Sequence, residues 1–322
     1  MKNGTKKAML VLFTLILAGG ALAQERVSIY GVRGPSGLGM IRLLERPPRA
    51  PGVSLAVELL AQADLVAARF ISGGAKMGML PPNVAAKIAS SGKRIQVAAV
   101  TGTGMLSLLS SDPSVRGIGD LAGKTLEMAG QGATPDYVMR KILLAKGINP
   151  DTDLRLGYSL SYPEIARLLV LGRISLALLP EPFATMAREG RPDLAVIGDI
   201  QGEWAALHGG PGRAYPMTVF VVDADFAAAR PLLVRAVLAA LEESAAWVKA
   251  NPEAAGLLAE KYGLGVSARV AAVAIPRSAY VFIPARKARG DLEGLFRAFL
   301  ELSPASIGGS LPPDDFYFSR VP

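Results

Sequence analysis

A loop of small residues, Gly130-Gln-Gly-Ala-Thr134, stands between a short apolar run and a helical pattern that begins at Pro135. Backbone N–H groups at the start of a helix attract anions, and glycines let a ligand approach them closely. The loop has neither the lysine of a Walker loop nor the Gly-x-Gly-x-x-Gly spacing of a dinucleotide site. It therefore predicts a contact with an anion or polar headgroup through Gln131, Ala133 and Thr134. The alternative is that Thr134 only caps the helix.

Three further loops are suited to ligand contacts because each follows a predicted strand. Their candidate residues are Pro35 and Ser36 after the first strand, Leu80, Pro81 and Asn83 after the third, and Thr101 and Thr103 after the fourth. Capping of the next helix is the simpler role for Asn83. The stretch Thr101-Gly-Thr-Gly104 suits an ordinary turn as well as a hydroxyl-lined floor of a binding cleft.

Aromatic rings and one carboxylate complete the candidate ligand contacts. Tyr158, Tyr162 and Tyr215 fall at predicted strand or loop ends, where their rings can stack on a flat ligand. Glu181 is the one acid at the end of a buried-looking strand. An isolated carboxylate suits a contact to a ligand amine, or a hydrogen bond between lobes, better than general acid catalysis. The sequence thus predicts binding residues and no catalytic ones.

Composition excludes several kinds of chemistry. The chain has no cysteine and one histidine, His208, so disulfides, thiolate metal sites and cysteine nucleophiles are excluded. A zinc site or a Ser-His-Asp triad would depend on that one histidine, and we expect neither a metal nor a cofactor. The formal net charge of +8 comes from scattered basic residues, which do not form the stripe typical of nucleic-acid binding.

The amino terminus has the organisation of a secretory signal. Lys2, Lys6 and Lys7 precede an apolar stretch over 8–18, and Ala21-Leu-Ala23 provides small residues for a signal peptidase. The stretch is shorter than the roughly 20 apolar residues of a permanent membrane anchor. We therefore predict a cleaved signal peptide over 1–23. Without a cysteine for lipid attachment, the mature protein is expected to diffuse freely in the periplasm.

Short β-like runs alternate with helical patterns from Arg26 onward, and the same rhythm restarts near Asp120. This alternation predicts an α/β fold in which helices flank mainly parallel sheets. A chain of this length is expected to form two lobes. We predict a first lobe built from 24–112 and 214–322, the latter including a wrapping tail, and a second lobe over 113–213. Strand-end loops of both lobes would then line one ligand cleft.

Several segments, in order, resemble the periplasmic substrate-binding proteins of ABC importers for nitrate, sulfonates, taurine and the thiamine pyrimidine. The segments are "MGMLPPNVAAKIASSG", "DLAGK" at Asp120, "LLAKGINPDTDLRL", "ARLLVLGRISLALLPEPFATMA" and "ESAAWVKANPEAAGLLAEKYG". The resemblance spans Arg26 to Tyr280. It implies the type II periplasmic binding protein fold, a monomer that closes on a small ligand, and transient partners in a membrane permease and its ATPase.

The resemblance leaves the ligand open between a flat heterocycle, such as a thiamine precursor, and an anion such as a sulfonate or nitrate. Arg33 is the one arginine near a candidate loop, whereas the tyrosines suit a heterocycle, which we favour. Two other functions share the scaffold: an enzyme of the menaquinone-pathway type and a ligand-sensing domain. The related fungal thiamine-pyrimidine synthase relies on cysteines and pyridoxal phosphate, and this chain has no cysteine.

Overall fold

Two β-sheets organise the computed structural model, which describes residues 25–49 and 52–319; the predicted signal peptide lies outside them. Strands of the first sheet are β1 (Glu25–Val32), β2 (Val53–Leu60), β3 (Met77–Leu80), β4 (Ile95–Thr103), β10 (Pro216–Asp223) and β11 (Ala279–Pro284). Strands of the second sheet are β5 (Leu106–Ser110), β6 (Thr125–Glu127), β7 (Arg155–Gly157), β8 (Leu176–Pro180) and β9 (Ala195–Gly198). We call each sheet with its helices a lobe.

The helices cover both sheets. Helices of the first lobe are α1 (Pro35–Gly39), α2 (Ile41–Glu45), α3 (Ala63–Ile71), α4 (Pro82–Ser90), α9 (Ala224–Ala229), α10 (Pro231–Ala250), α11 (Pro252–Lys261), α12 (Ala268–Ala274) and α13 (Ala285–Leu302). Helices of the second lobe are α5 (Thr134–Ala145), α6 (Tyr162–Val170), α7 (Phe183–Gly190) and α8 (Ile200–Leu207). Short 3₁₀ helices span Ile118–Leu121, Ile275–Arg277, Pro304–Ile307 and Asp314–Phe316. Among these described helices, none has both the length and the apolar character needed to cross a bilayer.

Each sheet combines parallel and antiparallel strands. The first sheet has the order β11-β4-β10-β3-β1-β2, with β1 parallel to β2 and β3, and β10 antiparallel to β3 and β4. The second has the order β7-β6-β8-β5-β9, with β6 parallel to β7 and β8. The continuous apolar runs of β3 and β8 are buried throughout, as expected for central strands covered on both faces. The predicted α/β fold class is therefore confirmed.

Local signals set several helix boundaries where the sequence predicts them. Proline occupies the first position of α10 and α11, where its missing N–H costs no hydrogen bond. Gly147, at φ 77°, lies just beyond α5.

The C-terminal tail, which follows α12, is predicted from the sequence only to wrap the first lobe. It also contains a strand, β11, at the edge of the first sheet, and the 18-residue helix α13, whose buried face includes Leu292 and Phe296.

The chain first crosses between the sheets at Gly104 and Met105. The predicted boundary at residue 113 lies later than this crossing, because Leu106–Ser110 pairs with β8 and β9 of the second sheet. Both crossing residues have positive φ, 58° and 63°. The chain returns between α8 and β10. Gln201 of α8 joins the two crossings: its Nε2 donates to Arg213 O at 2.7 Å, and its Oε1 lies beside Gly104.

Side chains also pack between the lobes away from the crossings. The ring of Tyr137 in α5 lies 4.7 Å from that of Phe299 in α13, centroid to centroid. Lys141 and Glu301 form an ion pair beside it. On α7, Glu189 pairs with Arg269 of α12 at 2.7 Å. The two lobes are therefore in contact through apolar and charged side chains in this structure.

We predict that Gly104→Ala destabilises the protein by about 1–2 kcal/mol, since a Cβ there must adopt the left-handed region. That Cβ would also approach Gln201 Oε1 to 2.9 Å. Urea unfolding of residues 24–322 measures the effect. Gly294→Ala is the matched control: a Cβ in the middle of α13 meets open space, and better helix propensity should stabilise by about 0.5–1 kcal/mol. Equal effects at the two glycines would contradict the assignment of Gly104 to a constrained crossing.

Candidate ligand cleft between the lobes

The loop that precedes α5 is held by a side chain of its own helix. Gly130 and Gly132 adopt positive φ, 79° and 72°, so the chain can turn sharply into α5. Asp136, in the first turn of α5, accepts a hydrogen bond at Oδ2 from the Gly132 N–H at 2.8 Å. The residue before the helix is Ala133, which has no polar side chain to cap it. Thr134 is the first helical residue and not the cap that the sequence allowed; among the described residues, its buried Oγ1 has no hydrogen-bond partner.

Asp136 is the centre of a polar network on the second lobe. Its Oδ1 accepts hydrogen bonds from Arg140 Nε at 2.7 Å and from the Tyr158 hydroxyl at 2.6 Å. Arg140 Nη1 also donates to Asp151 at 2.7 Å. Burial opposes the charged form of Arg140, but its bonds to the two carboxylates outweigh that effect and raise its pKa. Burial, followed by the bond to Asp136, raises the pKa of Tyr158, which therefore stays a hydroxyl donor.

Asn83 connects this loop to the first lobe. Its Nδ2 donates to Gly132 O at 2.8 Å, although the two residues are 49 positions apart. Asn83 lies in the first turn of α4 behind Pro82 and is 3% exposed. The helix-capping role that the sequence favoured is not observed, because the amide faces the other lobe. Gly132 is thus held at its N–H by the second lobe and at its C=O by the first.

Aromatic side chains form the adjacent part of the interlobe contact. Tyr162 stacks on Phe183, with centroids 6.0 Å apart and planes at 17°, and its hydroxyl donates to Ala129 O at 3.2 Å. A Cβ placed on Gly34 of the first lobe would lie 3.2 Å from the Phe183 ring. Burial, and then the charge of Asp136, raises the pKa of Tyr162. Phe183 was missed from the sequence because an apolar residue at a helix start is typical of core; its position directly after β8 was the available signal.

Glu181 lies in the same region but is held internally. It is 4% exposed, and its Oε2 accepts from the Thr185 N–H at 3.0 Å. The Thr185 hydroxyl in turn accepts from Arg277 of the first lobe at 3.1 Å. Burial raises the pKa of Glu181, and the bonds from Thr185 and the charges of Arg277 and Arg188 only partly offset this. Glu181 therefore bonds within the second lobe, and the link to the first lobe is made by the Thr185 hydroxyl.

Other predicted residues have structural roles. Tyr215 is fully buried with its ring edge-on to Trp204 at 5.8 Å, so it cannot stack on a ligand as predicted. The reason is that the chain is already joining the central strand β10 there. Leu80, at 1% exposure, is the last residue of β3, and Pro81 directly precedes α4. The remaining predicted residues support the backbone. The Thr101 and Ser36 hydroxyls donate to Thr218 O at 3.4 Å and to Val32 O at 3.0 Å. Thr103 pairs with Pro216 and Ala279 in the sheet, and Pro35 is the first residue of α1.

The structure therefore brings together Asn83, Gly132, Thr134, Tyr158 and Tyr162 around one interlobe contact, with exposed Gln131 at its edge. Two surface cavities, of about 510 and 540 Å³, lie elsewhere, and neither is lined by any of the predicted residues. Within residues 25–49 and 52–319, no group of three or more metal-ligating side chains is present. The one histidine stacks on Trp204 and bonds to its carbonyl at 2.9 Å.

The fold and the contact between Asn83 and Gly132 define the class of protein. It is a two-lobed α/β protein in which strand-end loops of the two lobes face each other. The model of the NMT1-like family matches residues 56–262, well over half of the chain, so the chain belongs to the NMT1-like family. The family resemblance seen in the sequence is thereby confirmed. A comparison with curated protein sequences found no match.

Solved structures share this fold. An ABC transporter protein from Parabacteroides distasonis superposes with a TM-score of 0.75 at 23% identity, covering 92% of this chain and 99% of that one. The periplasmic aliphatic sulphonate binding protein SsuA from Escherichia coli gives 0.71 at 17% identity, covering 92% of each chain. The periplasmic nitrate-binding protein NrtA from Synechocystis PCC 6803 gives 0.60 at 15%, covering 77% of this chain and 69% of that one.

Replacing Asn83 by Asp tests the interlobe bond. A carboxylate cannot donate to Gly132 O, and it adds a buried negative charge near Asp136, so we expect a loss of about 2–3 kcal/mol in unfolding free energy. The loss should shrink at acidic pH, where the carboxyl group regains a donor. Gln131→Glu makes the same amide-to-acid change at an exposed position of the loop and should stay within about 0.5 kcal/mol. Comparable losses in both variants would show that Asn83 does not hold the lobes together.

The raised pKa of Glu181 predicts a pH-dependent effect of Glu181→Gln. The folded state binds the proton more tightly than the unfolded state, so the contribution of Glu181 to stability is full below its usual pKa of 4.5 and is lost as the pH rises through the raised value. Glu181→Gln should therefore gain stability relative to wild type between pH 4 and pH 8. Glu164 is the control of opposite sign, since its bonds to Ser161 lower its pKa. Thermal melts across this range would contradict the assignment if Glu181→Gln lost stability as the pH rose.

Proposed function

We propose that this chain is the solute-binding component of an ABC import system, which captures a small molecule between its lobes and delivers it to a membrane permease. The observation that carries the proposal is the hydrogen bond from Asn83 to Gly132 O, since it joins strand-end loops of the two lobes where a ligand would bind. The family membership and the shared fold support it. The sequence-based signal peptide supports a periplasmic location, the missing cysteine supports a protein without a lipid anchor, and the family resemblance supports a monomer.

Binding in this proposal works by closure. A ligand that contacts both lobes favours the closed arrangement only by the difference between its affinities for the two states. To change the ratio of closed to open protein from 1:99 to 99:1, the ligand would have to bind the closed state about 5.5 kcal/mol more favourably than the open state. The Gly104–Met105 crossing and the return crossing are where the chain would bend. The interlobe bonds of Asn83 and of Thr185 would break and re-form with each cycle.

Binding without chemistry also agrees with the state of the two buried carboxylates near the contact. Asp136 accepts from three groups, and Glu181 accepts from the N-terminal turn of α7. Each is committed to positioning its own loop. An acid or base for catalysis needs to reach a substrate proton directly or through one water. An enzyme on the same scaffold would have to release one of these carboxylates first.

A thermal-shift screen of residues 24–322 tests the function. The compounds are thiamine precursors, flavins, nucleobases, sulfonates, nitrate and amino acids, and one class should raise the melting midpoint. X-ray scattering should then show a smaller radius of gyration with that compound bound. Tyr162→Ala should weaken its binding about tenfold or more by removing a stacking surface, whereas Leu232→Ala, which is 75% exposed on α10, should not change it. Turnover of the bound compound would identify an enzyme instead.

A further inference from the structure

The place that an anion would take at the start of α5 is already filled by the protein. An anion bound to a helix start uses the free backbone N–H groups of the preceding loop. Here the Gly132 N–H donates to Asp136 Oδ2 at 2.8 Å. Asp136 is 3% exposed and is fixed by two further donors, Arg140 and Tyr158. A sulfonate or nitrate at this loop would have to displace a carboxylate held by three hydrogen bonds.

The charges around the loop also oppose an anion. Arg140 is the guanidinium nearest to Asp136, and it is shared with Asp151 through a bond of 2.7 Å. Two carboxylates thus surround one positive charge. In a partly desolvated site, this excess of negative charge repels a bound anion more strongly than it would in water.

Of the two unpartnered oxygens at the contact, Asn83 Oδ1 can only accept a hydrogen bond, whereas the Thr134 hydroxyl can donate or accept. Asn83 must point its Nδ2 at Gly132 O, because a carbonyl oxygen only accepts, and this fixes Oδ1 as an acceptor. Among the described residues, nothing bonds to that buried Oδ1 or to the buried Oγ1 of Thr134. A buried polar atom without a partner costs about 1–3 kcal/mol. A ligand with N–H or O–H groups recovers that cost at Asn83, whereas a fully ionised oxyanion has no donor to offer.

We infer that the cleft takes an uncharged or cationic solute that donates hydrogen bonds, and that the Asp136 carboxylate excludes oxyanions by occupying their place at the start of α5. This inference rests on the proposed function and narrows its ligand. It selects against the sulfonate and nitrate alternatives. Asp136 acts as a specificity-determining residue through the loop that it holds.

Isothermal titration of residues 24–322 tests the inference with nitrate, ethanesulfonate, cytosine and orotate. The last two are pyrimidinones with ring N–H donors, and only orotate carries a carboxylate. Wild type should bind none of the three anions. Asp136→Ala frees the Gly132 N–H and should bind ethanesulfonate or nitrate with an affinity at least tenfold above the detection limit at which wild type shows no binding. Asp136→Asn is the matched variant, since its amide oxygen can still accept from Gly132, and it should gain clearly less. Cooperative unfolding confirms that each variant is folded.

Each result of these titrations tests either the inference about Asp136 or the proposed function. Anion binding by wild type would overturn the inference and leave the proposed function standing. An Asp136→Ala variant that gains no anion affinity, or an Asp136→Asn variant that gains as much, would also overturn it, because occupancy by the carboxylate would not be the cause. A wild type that binds no solute in this set or in the wider screen would overturn the proposed function itself.

Discussion

The arrangement of the two lobes depends on the two backbone hydrogen bonds of Gly132. Its N–H is held by Asp136 within the second lobe, and its C=O accepts from Asn83 of the first lobe. Because both bonds are made by one residue, through the two peptide groups that flank its Cα, the position of the loop in its own lobe sets the geometry offered to the other. A shift of the Asp136 network would therefore be felt at Asn83, although the two side chains bond to different atoms.

This geometry explains how the two lobes keep one alignment in this structure. Apolar packing, such as Tyr137 on Phe299, is tolerant of small displacements, since dispersion and burial have no strong direction. A buried amide-to-carbonyl bond is directional and is lost when misaligned. The apolar contacts therefore hold the lobes close, and the bonds of Asn83 and Thr185 select one alignment. The paired positive φ angles of Gly104 and Met105 then turn the chain from one sheet to the other within two residues.

The elements were predictable where their signals are local. Prolines at 231 and 252 begin α10 and α11, and the apolar runs of β3 and β8 mark central strands. The failures are long-range. Tyr215 was predicted at a loop end, but β10 is inserted between β3 and β4 and takes it into the core. The first crossing was placed late because nothing local tells which sheet the strand Leu106–Ser110 joins.

Single residues of the site were predictable from the sequence, but the hydrogen-bond partners of those residues were not. Asn83, Tyr158 and Tyr162 are predicted site residues because they follow strands, yet their hydrogen-bond partners come from residues up to 49 positions away. The anion site proposed for Gly130–Thr134 shows the same limit. Small residues before a helix indicate free N–H groups at the helix start only if no acidic side chain of the first turn folds back to accept from them. Asp136 does fold back, and Arg140 one turn later stabilises it there. Whether the start of a helix can bind an anion thus depends on whether an acidic side chain in its own first turn already accepts from the free N–H groups.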